Sequence, residues 1–217
     1  GDSWEELLRT AAAIRADAQP PAPHHRRHNL LLAAAAVTVV ALLVHSPAAP
    51  ASAGSPYDSS LFSLTNQDRS SNGVGALNFN ATLQGIGESS PASPCGSRIS
   101  GRSEDMITRN YFAHPIPPCG RYVFVIMQAY GINYRSAGEN IGWESGAGDP
   151  AGYINGQFMN SPDHRSNILN RNYTDLGIGS WTSGSSNWSG GGGSYPNVWM
   201  FSEEFAQLGQ PAPPPPP

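Results

Sequence analysis

Apolar positions return at helical spacing soon after Pro56 and Asp58. Leu61, Phe62 and Thr65 share one face, and Gly73 and Gly75 supply a stop, which predicts a helix over residues 59–71. Over residues 78–87 the period is weaker, through Phe79, Leu83 and Ile86, and Gly85 and Gly87 count against a second helix. Ser103, Glu104 and Asp105 then offer a cap and an acidic first turn. Ile107, Tyr111 and His114 follow at spacings of four and three, so the pattern places His114 with the core face of a third helix. Pro115 holds the backbone of His114 out of the helical region, which puts the imidazole where helix gives way to loop. Asp149-Pro150 starts another helix with Ile154 and Phe158 on one face. Ser161-Pro162 ends it and caps a short successor that carries His164 in its first turn.

Strand-like alternation comes late. Leu176 and Ile178 alternate with glycines, and Val198 with Met200, or Trp199 with Phe201, alternate again across the Gly/Ser-rich stretch 184–194. These read as two antiparallel strands. Helices followed by a short antiparallel sheet predict an α+β layered domain rather than a parallel α/β sheet.

The two ends change the domain count. Residues 30–44 carry no charge, follow Arg26 and Arg27, and precede Ala51-Ser52-Ala53, the small-residue pattern of an export-signal cleavage site. Spanning roughly 22 Å as a helix, the run falls short of the ~30 Å that a membrane-crossing helix covers, so a cleaved signal is favoured over a retained anchor. Residues 209–217 are proline-rich and suit an extended tail. The reading is therefore a leader over 1–53, one exported domain over 54–208, and a tail. Any contact with a membrane is expected only through the N-terminal segment. From Gly54 onward eight Arg and no Lys face twelve acidic residues, which argues against a nucleic-acid partner. Cys95 and Cys119 both fall in the exported part, where an oxidising compartment favours one disulfide.

Four segments, taken in order, carry a resemblance: Asn66-Gln67-Asp68-Arg69, Tyr111-Phe112-Ala113-His114, Ala137-Gly138-Glu139-Asn140-Ile141, and Phe158 through Leu169 with Ser161-Pro162-Asp163-His164-Arg165 inside it. Followed by Leu176-Gly177-Ile178-Gly179, they resemble bacterial CAP-superfamily domains, also called SCP-like domains, relatives of plant pathogenesis-related and venom antigen-5 proteins. The resemblance implies an α-β-α sandwich, export, and a cleft where two histidines and two acidic residues meet. Carried over by motif, these are His114, Glu139 and His164. The second acid has no counterpart, because Phe158-Met159-Asn160-Ser161 offers a serine where eukaryotic relatives place a glutamate.

Two imidazoles and a carboxylate suit a divalent metal such as Zn²⁺ with an open fourth position. The same three groups equally suit a hydrogen-bonded clasp in which Glu139 accepts from both histidines. His164 could also act as a general base, with Ser161 or water as nucleophile. Tyr111, Phe112 and Trp143 are among the aromatics that could line a groove, and Asn66 and Arg69 are spaced to tie their helix to a neighbouring loop. The expected function is an extracellular or cell-surface binding module whose cleft engages a lipid, a cell-envelope component or a protein. The alternative is a metal-assisted hydrolase of peptides or esters.

Overall fold

The computed structural model describes residues 55–209. The leader, the Ala51–Ala53 pattern and the prolines from Pro211 onward lie outside the described residues. Helix α1 (Pro56–Ser71) begins with a capping box: the Ser55 hydroxyl accepts from Tyr57 N–H while the Asp58 carboxylate accepts from Ser55 N–H. Two residues pair as β1 (Asn78–Phe79), and Asn80 then caps α2 (Ala81–Glu88). The weak period read from residue 78 is thus strand first and helix second. A short hairpin, β2 (Pro91–Ala92) with β3 (Ile99–Ser100), leads into α3 (Arg102–Thr108) and α4 (Phe124–Ala129).

The long strand β4 (Tyr134–Ser145) comes next, then α5 (Pro150–Asn160), α6 (Pro162–Ile168), β5 (Asp175–Thr182) and β6 (Val198–Leu208). The sheet order is β1-β5-β6-β4, antiparallel except for the β1–β5 pair. Helices cover both faces, giving the α-β-α sandwich. Phe201, Phe205, Leu176 and Ile178 face α1, α5 and α6, while Ala206 packs with Leu83 and Ile86 of α2 on the other side. That second face admits a helix closely because Gly177 and Gly179 present no side chain. A Cβ at Gly177 would stand 2.0 Å from the Gln84 backbone nitrogen, and one at Gly179 would stand 2.1 Å from the Gly87 carbonyl carbon.

Two sequence expectations need correction. The helix drawn through Ile107, Tyr111 and His114 stops at Thr108, and Asn110 turns the chain with φ of 60°. Its N-cap is Gly101 rather than Ser103, whose buried hydroxyl donates to the Gly179 carbonyl at 2.8 Å. His114 consequently sits in a loop with its side chain 42 % exposed, not on a core face. Strand β4 was also unanticipated, since its residues do not alternate in polarity. The expected Cys95–Cys119 disulfide is present, with Cα atoms 5.4 Å apart. Asn66 and Arg69 are tethers as read: Asn66 exchanges hydrogen bonds with Leu77, and Arg69 donates to the Gly75, Ile168 and Asn170 carbonyls. Among the described residues no helix is long and apolar enough to cross a membrane.

A polar seam ties the first layer to the sheet. Glu203 on β6 is fully buried and accepts from Thr65 of α1 at 2.6 Å and from Asn140 of β4 at 2.8 Å. Burial raises its pKa from 4.5 to about 7; the Thr65 and Asn140 hydrogen bonds oppose that rise, and the charge of Asp68 adds to it. The folded state therefore keeps a proton that the unfolded chain loses at lower pH. Its stabilisation is complete below pH 4.5 and is lost as pH rises through about 7. Urea unfolding across that window is expected to flatten in Glu203→Gln, with the pH-dependent part reduced by up to roughly 3 kcal/mol.

Candidate functional site

Glu139 and Asn140 are neighbours on β4, so their side chains leave the sheet on opposite faces. Glu139 points to the α3 side. There its Oε1 accepts from Arg102 Nε at 2.6 Å and its Oε2 meets His114 Nδ1 at 2.6 Å. Arg102, fully buried at the start of α3, also donates to the Tyr111 hydroxyl and to the Ala113 and His114 carbonyls. One guanidinium thus fixes both the carboxylate and the loop that carries His114. The Tyr111 hydroxyl donates to the Asp105 carboxylate, which Arg109 clamps with two nitrogens.

Asn140 points the other way and donates to the His164 carbonyl at 3.1 Å, while Asn167 donates to the Asn140 side-chain oxygen at 2.8 Å. His164 is the third residue of α6 and packs beside the Phe158 ring, with centroids 4.9 Å apart. Ser161 holds the N-cap position of α6 without a side-chain capping bond. Burial lowers the His164 pKa, and the nearby His114 imidazole lowers it further. His114, Glu139 and His164, far apart in sequence, are gathered about one strand.

Burial alone would raise the Glu139 pKa, but the charge of Arg102 and the contact with His114 outweigh it and hold the carboxyl at about 2. Directly opposite in the ladder stands Glu204, fully buried, its oxygens without a hydrogen bond of ordinary geometry among the described residues. Burial, and then the negative Glu139, push its pKa well above the usual carboxylate range, while Arg102 pulls the other way. Around a single guanidinium the site thus sets one carboxyl held ionised against one pushed toward its neutral form. Arg102 and Glu204 were not anticipated. The only trace of them was a charged residue at each of two otherwise core-like positions.

The donor set does not fit a three-ligand zinc site. Both Glu139 oxygens are engaged, His114 turns Nδ1 to that carboxylate, and what remains is the far nitrogen of His114 with the imidazole of His164. Among the described residues no group of three or more His, Cys, Asp or Glu side chains is disposed to hold a metal ion.

The α-β-α layers define a class, and comparison with known proteins agrees. Residues 98–201 match the family described as the cysteine-rich secretory protein family, CAP. The uncharacterised protein YkwD of Bacillus subtilis (strain 168) is 38 % identical over 138 residues, 64 % of this chain and 47 % of that protein. The membrane protein YlbC of the same strain is 35 % identical over 86 residues, 40 % of this chain and 24 % of that one. The chain thus matches about half the length of the first relative and a quarter of the second. An extracellular SCP-domain protein from Bacillus anthracis str. Ames superposes with a TM-score of 0.50 at 25 % identity, covering 70 % of this chain and 40 % of that one. The chain carries a CAP domain over the matched residues.

Removing the guanidinium would strand a buried carboxylate. Arg102→Met is expected to destabilise the domain by about 3–5 kcal/mol in urea unfolding at neutral pH, far more than the exposed Arg98→Met.

Proposed function

We propose that the CAP domain is an extracellular binding module and that its cleft engages a polar cell-envelope polymer. The observation that supports this reading best is the commitment of Glu139. A carboxylate already shared between Arg102 and His114 is poorly placed to act as a base or to ligate a metal, and well placed to fix an imidazole. Held through Nδ1, His114 turns its other nitrogen outward as a hydrogen-bonding group of fixed direction. Two residues earlier in the same loop, Phe112 is 37 % exposed and stands edge-on to the buried Trp188, so an accessible aromatic ring lies in the segment that carries the imidazole. Polymers of sugars pair such ring faces with directional polar groups. The export motif and the extracellular SCP protein to which the chain is similar support the location.

The hydrolase reading keeps one supporting observation. A histidine oriented by a carboxylate resembles the outer-shell arrangement around catalytic zinc. Zinc titration by calorimetry separates the two, since dissociation constants near or above ~1 mM at neutral pH leave no metal route.

Cosedimentation of the full chain with insoluble cell-envelope polymer is expected to show saturable binding. Phe112→Ala and His114→Ala should each weaken it about tenfold with circular dichroism unchanged. Binding that survives both substitutions at full strength, or polymer that is shortened during the assay, would overturn the reading.

A further inference from the structure

At the other edge of the sheet, where α1 begins beside β1 and β5, lies a pocket of about 340 Å³, within the size range of small-molecule sites. It shares no lining residue with the His114 and His164 cleft. We propose that this pocket binds a small organic cation, an ammonium group carried on an apolar body. The proposal goes beyond the function inferred above and is independent of it.

The apolar wall comes from Pro56, Ile178, Phe62 and Phe79. The two phenyl rings meet edge to face at 5.9 Å, and Phe79 is 55 % exposed, so its ring is open to a ligand. The polar wall is one of acceptors. Ser59 spends its hydroxyl proton on the Pro56 carbonyl at 3.1 Å, and Ser63 spends its own on Ser59 at 2.8 Å. Ser180 donates to Asp58, so the 2.7 Å contact between Ser55 and Ser180 requires Ser55 to be the donor there. Each of these hydroxyl protons is thereby spent on the protein, so toward a ligand these oxygens can act only as acceptors. Asp58 is its one charged lining residue, and Gln84, the remaining polar one, hydrogen-bonds to that carboxyl. Acceptors, a carboxylate and ring faces together complement a positively charged donor, through both Coulomb attraction and cation–π contact.

Occupancy should also follow pH. Burial raises the Asp58 pKa from 3.8 to about 6; the Ser180 hydrogen bond opposes the shift and the charge of Glu88 on α2 adds to it. The other groups packed on the carboxyl, Ser55, Ser180 and Gln84, are neutral. Bound cation favours the ionised acid, so affinity rises as pH passes upward through about 6.

The test is an NMR titration of the full chain with benzylammonium, with benzyl alcohol and benzoate as the neutral and anionic counterparts. Benzylammonium is expected to shift the Ser59, Phe62 and Phe79 amides saturably at pH ~7.5 and to bind about tenfold more weakly at pH ~5. Asp58→Asn should remove that pH dependence. Because Asp58 also caps α1, Phe79→Ser provides a second variant at an exposed position and should weaken binding about tenfold. Equal binding of benzyl alcohol, no saturable shift with benzylammonium, or unchanged affinity in Phe79→Ser would each overturn the proposal.

Discussion

Arg102 and Glu139 are both removed from water, and neither could be buried alone. Their contact is formed between the first turn of α3 and the middle of β4, 37 residues apart in sequence, so it exists only once the helix has docked on the sheet. The remaining guanidinium nitrogens then choose the path of the next segment. By donating to Tyr111 and to the Ala113 and His114 carbonyls, Arg102 replaces the helical bonds that the chain gave up at Thr108. The same ion pair sets the protonation of its neighbours. With Glu139 held ionised, a second buried charge at Glu204 is disfavoured. Geometry and charge around Glu139 are consequences of one pair.

The Gly-Glu-Asn segment works because a strand presents successive side chains to opposite faces. Glu139 organises the α3 side and His114; Asn140 organises the α1 side, reaching Glu203, Asn167 and the backbone of His164. One dipeptide thereby references both histidine segments to the same strand. Replacing either neighbour disturbs a different layer, which explains how the His114 loop and helix α6 place their imidazoles within electrostatic reach.

Local signals made the helices at Pro56, Asp149-Pro150 and Ser161-Pro162 legible, because caps and prolines act within a single turn. The strands at Leu176 and Val198 were legible through alternation. Strand β4 was not. Both of its faces are covered along its middle, so Glu139, Asn140 and Ile141 are all buried and no polarity pattern survives. The end of α3 was hidden for another reason. Tyr111 and His114 keep helical spacing, but their polar groups are satisfied by Arg102, Asp105 and Glu139 at long range, which a period cannot report. Arg102 and Glu204 were invisible as site residues for the same cause: their roles are pairings across the sheet.

Site and sheet edge coincide at β4, and this has a physical logic. A strand of twelve residues at the end of a sheet offers unpaired backbone groups to any other strand. The opposite edge avoids the hazard by brevity, since β1 has only two residues. Along β4 the inward carboxylates of Glu139 and Glu144 make continued pairing with a second apolar strand costly, one of the devices by which natural edges resist association. A buried acid at an edge needs a cation, and Arg102 supplies it at Glu139. Once that pair is in place the adjoining loop is anchored, and a partly exposed imidazole at its end becomes a fixed polar group facing solvent. The edge that most needs protection is therefore also where the chain can hold a polar cluster rigidly.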